Sequence, residues 1–216
     1  MERQGSYSRN VSAVPDIPDF SGSHRGVRAG RGRGRRGRLR GSFSHGVWRG
    51  FPGGVGGDAV VENLTAMPEV EIVGCRFTLT PTRGLLLTTG RKALIADNTF
   101  LNIPMPSIYI SDDARSWYES GAVDGVTIVR NRFINCASPV IGIDPENDVY
   151  KGPVHRGIVI EDNTFEWDEA YRSAHPDFTP TLISAEAVDG IIIRRNSCNI
   201  PCNPTELKNC TRIVCP

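Results

Sequence analysis

An eight-residue unit that occurs five times constrains the fold of this chain more than any other feature. The unit is clearest at residues 126–133, Val-Thr-Ile-Val-Arg-Asn-Arg-Phe, and its other copies span residues 70–77, 93–100, 158–165 and 191–198. Its third position is isoleucine in all five copies, its sixth is asparagine in four, and its eighth is phenylalanine in four. The eighth positions are separated by 23, 33, 32 and 33 residues. Self-similarity at such a period indicates a repeat architecture.

The spacing of apolar residues within the unit predicts strands rather than helices. Each copy is short and rich in β-branched residues, and its apolar residues recur at every second position. An asparagine at a corner tolerates unusual backbone angles, and stacked copies form a hydrogen-bonded ladder about 4.8 Å apart. The sequence therefore predicts an all-β fold, a right-handed parallel β-helix (solenoid) of about five rungs. The residues predicted to be structural are Asn98, Asn131, Asn163, Asn196, Phe77, Phe100, Phe133 and Phe165.

A second apolar strand precedes each unit from the second copy onward. These strands are predicted at residues 85–89, 108–111, 140–144 and 182–186. The two longest insertions, residues 112–120 and 145–154, follow them on successive rungs, and insertions in a solenoid often collect on its binding face. The β-helix domain is predicted to span residues 58–200, and residues 201–216 are predicted to form a cysteine-containing C-terminal tail.

The net charge of +1 conceals two segments of opposite charge. Residues 1–57 contain 11 arginines and 3 acidic residues, a net charge of +8, whereas residues 58–216 contain 14 basic and 21 acidic residues, a net charge of −7. The first segment is rich in glycine and buries too little apolar surface to offset its ordering entropy, so a disordered Arg/Gly-rich tail is predicted. Three interpretations of the tail stay open: RNA binding through phosphate charge and stacking, a solvated segment without a partner, and a segment that is not native to the domain.

Neither a secretory signal nor a membrane segment is visible in the chain. The first 30 residues lack an apolar stretch of the kind that a signal peptide requires, and no run approaches about 18 apolar residues. The six cysteines form no clean disulfide or zinc framework, so no metal site is predicted. Cys75, Cys136 and Cys198 lie on or beside repeat units and are predicted to be core residues. One or two disulfides near the C-terminus are expected if the chain is exported.

Acidic residues lie at the ends of the second strands on successive rungs. In chain order they are Asp112 and Asp113, Asp144 and Glu146, and Glu186. Stacked like charges repel, and their crowding favours one protonated carboxyl beside an ionised one, which gives an acid and a base from the same residue type. The alternative is that they form turns and face water. Their position in one column, beside the two longest loops, favours a functional site.

Paired carboxyl groups are the chemistry of glycoside hydrolysis. Inverting enzymes hold them about 6.5–9.5 Å apart and retaining enzymes about 5–5.5 Å apart. Rungs about 4.8 Å apart place side chains of adjacent or next-but-one rungs in that range. Trp117 and Tyr118 supply aromatic faces that can stack on a sugar. His155 lies beside the second insertion and could hydrogen-bond a hydroxyl, although a lone loop histidine is more often only solvated.

Three segments on consecutive rungs resemble one glycoside hydrolase family. They are Arg-Gly-Leu-Leu-Leu-Thr-Thr at 83–89, Ser-Asp-Asp-Ala-Arg-Ser-Trp-Tyr-Glu-Ser-Gly at 111–121, and Ile-Asp-Pro-Glu-Asn at 143–147. These segments, with the repeat unit that follows the second one, resemble the blood-group-B-type α-1,3-galactosidases. The resemblance covers about residues 58–200. It implies a right-handed parallel β-helix hydrolase that releases terminal α-1,3-linked galactose with inversion and needs no metal or other cofactor.

The resemblance also implies roles for individual residues. Asp112 and Asp113, in the Ser-Asp-Asp segment, and Glu146, in the Ile-Asp-Pro-Glu-Asn segment, are the implied catalytic acids and bases. Trp117 and Glu119 are implied substrate contacts. The other candidate substrate-binding residues, from their place on the chain, are Tyr118, Asp144, Glu186 and His155.

Two alternatives to a hydrolase stay open. One is a non-catalytic carbohydrate-binding β-helix, and the other is a structural β-helix with an RNA-binding tail. Family members are longer, with rungs before residue 58 and further domains after the β-helix, so a fragment with an incomplete pocket is also an interpretation of this chain. The expected partner is a galactose-containing glycan, with no membrane and with nucleic acid only through the tail. The resemblance suggests a secreted or periplasmic protein.

Overall fold

A computed structural model describes residues 67–111, 121–147 and 150–215, together with the backbone of four short strands nearer the N-terminus. Those strands are β1 (Val27–Ala29), β2 (Ser42–Ser44), β3 (Val47–Arg49) and β4 (Val61–Asn63), and they pair antiparallel, β1 with β4 and β2 with β3. The prediction of a disordered tail at residues 1–57 falls mainly on residues outside this description.

Three parallel sheets make up the described repeat region. The first sheet contains β7 (Leu85–Leu87), β10 (Ile108–Ser111), β13 (Ile141–Asp144), β16 (Thr181–Glu186) and β19 (Asn203–Lys208). The second contains β5 (Val70–Val73), β8 (Ala93–Ala96), β11 (Asp124–Val129), β14 (His155–Glu161), β17 (Val188–Arg194) and β20 (Thr211–Val214). The third contains β6 (Arg76–Thr78), β9 (Thr99–Leu101), β12 (Arg132–Ile134), β15 (Thr164–Glu166) and β18 (Ser197–Cys198).

The chain visits the three sheets in turn, which is the arrangement of a parallel β-helix. Every strand pairs with the strand three positions later in the chain, so each rung adds one strand to each sheet. The strands predicted ahead of the repeat units are the strands of the first sheet. The right-handed sense of the coil stays a prediction.

The repeat unit itself is two strands joined by a tight corner, rather than one strand. Its first half lies in the second sheet and its last residues lie in the third, with Ile128 paired to Ile95 and Phe133 paired to Phe100. Each rung therefore has three strands. At least two strands per rung were predicted, and the third was not distinguished because the corner interrupts the apolar alternation for just one or two residues.

The residue before the sixth position of each repeat unit, which is asparagine in four copies and Cys75 in the first, carries the unusual backbone angle. These positions have φ between 53° and 67°, and they are Gly74, Asp97, Arg130, Asp162 and Arg195. The expectation that the asparagine itself adopts this conformation is corrected, since none of the four repeat asparagines has a positive φ. Placing the strain one residue earlier leaves each asparagine free to direct its amide along the stack of rungs.

The asparagine side chains form a buried ladder between rungs. Asn131 Nδ2 donates to the carbonyl of Ile95 at 2.9 Å and to Asn163 Oδ1 at 3.0 Å. Asn131 Oδ1 in turn accepts from the backbone N–H of Asn98 at 3.0 Å and from its amide at 2.9 Å. The same pattern continues from Asn163 to Asn196. The predicted ladder is confirmed.

The phenylalanines of the unit stack through the interior. Ring centroids are 4.7 Å apart between Phe77 and Phe100, and 4.9 Å apart for each of the next two pairs, Phe100–Phe133 and Phe133–Phe165. The last three of these rings have no exposed surface. This spacing matches the separation of adjacent strands in a sheet, so one side chain per rung fills the core continuously.

The cysteines on repeat positions differ in their burial. Cys136 is fully buried and Cys198 is half-buried, as expected of core residues. Cys75 is exposed, which corrects its assignment to the core: it lies on the first described rung, where only one neighbouring rung covers it. All six cysteines are free thiols in this structure.

Charges alternate along the column of corner residues that have positive φ. Arg130 forms two hydrogen bonds with the carboxylate of Asp97, at 2.8 and 2.7 Å. Arg195 forms the equivalent pair with Asp162, at 2.7 and 2.8 Å. In order along the stack, the column reads acid, arginine, acid, arginine, and each arginine lowers the pKa of the aspartate that it contacts.

The parallel sheets extend beyond residue 200. Strand β19 pairs with β16, and β20 pairs with β17, so both continue the stack within the segment predicted as a C-terminal tail. A six-residue helix, α1 (Glu169–Ala174), lies between β15 and β16 and is capped by Asp168. Among the described residues there is no helix with the length and apolar character that a membrane span requires.

Candidate active site

The candidate site lies at the C-terminal end of the first sheet. In this sheet Ser111 pairs with Asp144, Ile143 with Ala185, and Glu186 with Lys208. Asp144 and Glu186 are therefore neighbours in the same register position on adjacent rungs, about 4.8 Å apart along the stack. The interior positions of these strands are apolar, so the polar residues at their ends face outward.

A cavity of about 490 Å³ is formed where these strand ends meet the loop that follows β13. Its lining residues are Asp144, Glu146, Asn147, Tyr150, Glu186, Lys208 and Asn209. This volume is in the range of small-molecule sites. The structure thus brings together three of the acidic residues that the sequence singled out, on two successive rungs.

Glu146 is held by two contacts that the fold fixes. Its backbone has a φ of 53°, and its N–H donates to Asp144 Oδ1 at 2.8 Å. Its carboxylate accepts a hydrogen bond from the hydroxyl of Tyr109, with 2.7 Å between the oxygens. The turn therefore bends the chain back so that Glu146 and Asp144 lie side by side in the cavity wall.

Tyr109 reaches Glu146 because it projects from the outer face of β10. Its neighbours Ile108 and Ile110 are fully buried, while Tyr109 itself is half-buried. Burial and, next, the hydrogen bond to Glu146 raise the pKa of the Tyr109 hydroxyl, so it remains a donor. The guanidinium carbon of Arg83 lies 4.7 Å from the centre of the ring, in a cation–π contact.

Of the three acidic residues that line the cavity, Glu186 is the one with a cationic partner among the described residues. Lys208 Nζ lies 3.0 Å from its carboxylate, and Asn209 Nδ2 donates to Oε1 at 3.2 Å. Together with the donors on Glu146, these contacts offset the like-charge crowding expected from the sequence. The cavity therefore presents carboxylate acceptors with an ammonium group at one side, a combination suited to the hydroxyl groups of a sugar.

His155 lies elsewhere than expected. It begins strand β14, is 0% exposed, and its Nδ1 accepts from the N–H of Val123 at 3.3 Å. Burial lowers its pKa to about 4. The expectation of a loop histidine is corrected: the strand begins at this residue and turns its side chain into the core, away from the cavity.

Five other predicted site residues fall outside the described part of the chain. They are Asp112, Asp113, Trp117, Tyr118 and Glu119. Ser111, the last described residue before them, pairs with Asp144, so Asp112 follows in the chain directly after the strand end that borders Asp144. Within the described residues, no group of three or more His, Cys, Asp or Glu side chains could hold a metal ion.

Sequence reasoning missed three residues that contribute to this site. Lys208 and Asn209 lie beyond residue 200, where no further repeat was recognised. Tyr109 was passed over as part of an apolar strand. Alignment of Ile-Tyr-Ile at 108–110 with Ile-Gly-Ile at 141–143 carries the signal, because it places an outward tyrosine beside a glycine on the next rung.

Proteins named α-1,3-galactosidase match about two thirds of this chain. No family model matches the chain. The α-1,3-galactosidase A of Bacteroides thetaiotaomicron is 49% identical over 139 residues, which are 64% of this chain and 23% of that protein. That of Peterkaempfera griseoplana is 49% identical over 142 residues, 65% of this chain and 18% of that protein. The α-1,3-galactosidase B of Bacteroides thetaiotaomicron is 38% identical over 157 residues, 68% of this chain and 24% of that protein.

These matches cover about a fifth of the length of the curated relatives. The expected resemblance is confirmed: over about two thirds of its length, this chain is similar to proteins named α-1,3-galactosidase A and B.

Proposed function

We propose that this chain carries the carboxylate site of a glycoside hydrolase that releases terminal α-1,3-linked galactose with inversion. The observation that carries the proposal is the cavity at the end of the first sheet, where Asp144 and Glu186 meet on adjacent rungs and Glu146 lies beside Asp144. The names of the matched relatives support galactose as the sugar and α-1,3 as the linkage.

The proposed catalytic groups are Asp112, Asp113 and Glu146. An inverting reaction needs one carboxylic acid to protonate the leaving oxygen and one carboxylate to activate water on the opposite face of the sugar. Strand ends on neighbouring rungs supply carboxyl groups at one- or two-rung separations, about 5–10 Å, which includes the distance that leaves room for this water.

The remaining cavity residues are proposed to hold the sugar. Asp144 and Glu186 would accept hydrogen bonds from hydroxyl groups, and Lys208, 3.0 Å from the carboxylate of Glu186, would hold that side chain in place. Trp117, Tyr118 and Glu119 are proposed as further substrate contacts, with the aromatic rings stacking on the sugar face. His155 is not part of this proposal, because its side chain is buried in the core.

The test is proton NMR of the anomeric signals during hydrolysis of an α-1,3-linked galactoside. We expect galactose to appear first as the β-anomer. Asp112→Asn, Asp113→Asn and Glu146→Gln should each lower turnover at least about a hundredfold, the scale of losing an acid or base. Glu166→Gln is the matched control, since this exposed carboxylate on the third sheet pairs with Arg132 far from the cavity. First release of the α-anomer, or full activity in all three variants, would contradict the proposal.

A non-catalytic carbohydrate-binding β-helix is the second candidate. The pairing of Glu186 with Lys208 and Asn209 favours it, because a carboxylate already held by two donors is arranged for recognition rather than proton transfer. A folded wild-type chain that binds galactosides, measured by calorimetry, and releases no galactose would establish this alternative.

A further inference from the structure

The contact between Tyr109 and Glu146 joins two successive rungs at the cavity wall. The tyrosine belongs to β10 and the glutamate to the turn after β13, 37 residues later. Glu146 Oε1 accepts the hydroxyl hydrogen bond, and within the described part of the chain no donor contacts Oε2. One carboxylate oxygen is thus fixed by the fold, and the other is left for whatever enters the cavity.

The fold makes room for this contact at Gly142. Tyr109 and Gly142 are register partners on adjacent strands. A Cβ at position 142 would lie 2.9 Å from Cδ2 of the tyrosine ring, closer than side chains tolerate. Glycine therefore allows the ring to lie across the next rung, so that its hydroxyl reaches Glu146.

The other face of the ring is held by Arg83. Its guanidinium carbon lies 4.7 Å from the ring centre, and its Nε is buried without a hydrogen-bond partner among the described residues. Among the described residues no carboxylate pairs with Arg83, so the ring of Tyr109 is the contact that the structure records for its cation. Arg83, Tyr109 and Glu146 form one connected row across three rungs.

The hydrogen bond from Tyr109 holds the carboxylate of Glu146 in one orientation at the cavity wall. The other charged groups at the cavity are Asp144, beside Glu146, and the Glu186–Lys208 pair across it. The carboxyl groups of Asp144 and Glu146 lie close together, and the hydrogen bond that Tyr109 donates to Glu146 stabilises this arrangement. A carboxylate with one oxygen held by a donor and the other facing the cavity is positioned to accept a proton from water.

Resting on the hydrolase function proposed above, we propose that Tyr109 is a positioning residue that orients Glu146 as the general base. Arg83 fixes the tyrosine ring, and the hydroxyl fixes the carboxylate. Glu146 then accepts a proton from the attacking water.

The test is a double-mutant cycle of the wild type, Tyr109→Phe, Glu146→Gln and the double variant. We expect Tyr109→Phe to lower kcat about 10- to 100-fold with KM changed less than about threefold, because a misplaced reacting group costs rate rather than binding. In the Glu146→Gln background the same change should have an effect below about twofold. Tyr171→Phe, at a half-buried tyrosine within α1 and outside the cavity, should leave kcat unchanged.

Equal losses in both backgrounds would overturn the proposal, since Tyr109 would then act independently of Glu146. A lower Tm with unchanged kcat in Tyr109→Phe would overturn it as well, because the tyrosine would be only structural. Arg83→Met provides a second variant: it keeps an apolar side chain near the ring and removes the cation. We expect it to give a smaller loss of kcat that also disappears in Glu146→Gln.

Galactose binding, measured by calorimetry on the same four proteins, separates this inference from the proposed function. A wild type that binds galactose without hydrolysing any galactoside would end the hydrolase proposal. The inference that Tyr109 acts through Glu146 would still hold if the effects of the two substitutions on galactose affinity were non-additive. Additive effects, or a wild type that does not bind galactose, would overturn it.

Discussion

At the scale of single residues, the repeat asparagines replace backbone hydrogen bonds that the corners cannot form. The amides of Asn98, Asn131 and Asn163 each bridge a carbonyl on one neighbouring rung and the next asparagine on the other. The corner thus turns the chain sharply without leaving buried polar groups unpaired, which would otherwise cost about 1–3 kcal/mol each.

Asn131→Ala should destabilise the protein by about 1–3 kcal/mol, because it leaves the N–H of Asn98 and the carbonyl of Ile95 without partners in a buried site. The free energy of unfolding in urea measures this effect. Asn147→Ala is the control, since Asn147 is exposed, and it should change stability little. Equal losses at the two positions would show that the ladder does not stabilise the fold.

The buried His155 predicts a specific dependence of stability on pH. Its pKa is lowered from 6.5 to about 4, so the folded state favours the neutral ring. This contribution is fully present above about pH 6.5 and is lost as the pH falls towards 4, by about 3 kcal/mol at most. Asp97 and Asp162, whose pKa values are lowered by their arginine partners, lose their stabilising contribution only at pH values below the range in which His155 titrates.

Urea unfolding at pH 7 and pH 4.5 checks this prediction. His155→Leu should reduce the difference in stability between the two pH values, whereas His175→Gln, at an exposed position, should not. An unchanged pH dependence in His155→Leu would show that the buried ring does not control it.

At the scale of the elements, the stacked phenylalanines tie the third sheet to the core. Phe133 lies between two rings at 4.9 Å and has no exposed surface, while Phe77 has one ring neighbour and is half-buried. Phe133→Ala should therefore cost about 3–5 kcal/mol, and Phe77→Ala distinctly less. Thermal unfolding of both variants measures the difference, and a larger loss at Phe77 would contradict it.

A structural feature of the rungs could be predicted from the sequence when the same residue type marks it on every rung. The asparagine ladder and the phenylalanine stack were predictable because the same residue type returns on every rung. The positive-φ position was not, since Gly74, Asp97 and Arg130 share a backbone angle and no side-chain chemistry. The separate third-sheet strand was not predicted either, because the corner interrupts the apolar alternation for only one or two residues.

The site was predictable only where its residues follow strand ends. Asp144, Glu146 and Glu186 lie where the alternation stops, and the structure places all three at one cavity. Tyr109 and Lys208 depend on contacts between rungs, across 37 and 22 residues respectively. Such contacts become visible only once the register of the rungs is known.

At the scale of the whole molecule, the described rungs form one continuous core without a second unit. The parallel sheets and the stacked interior lie within residues 70–214. Deletion of residues 1–57 should therefore leave a far-UV circular dichroism spectrum dominated by β-structure, with little helical signal. Substantial helix in the shortened protein would contradict the parallel β fold.

The alternation of charge at the corners limits how such a solenoid can lengthen during evolution. Duplication of one rung would set two aspartates or two arginines next to each other in the column that contains Asp97 and Arg130. Like charges placed directly opposite each other on neighbouring strands are destabilising. Duplication of two adjacent rungs keeps every acid beside an arginine. The solenoid can therefore lengthen by pairs of rungs without placing like charges next to each other in this column.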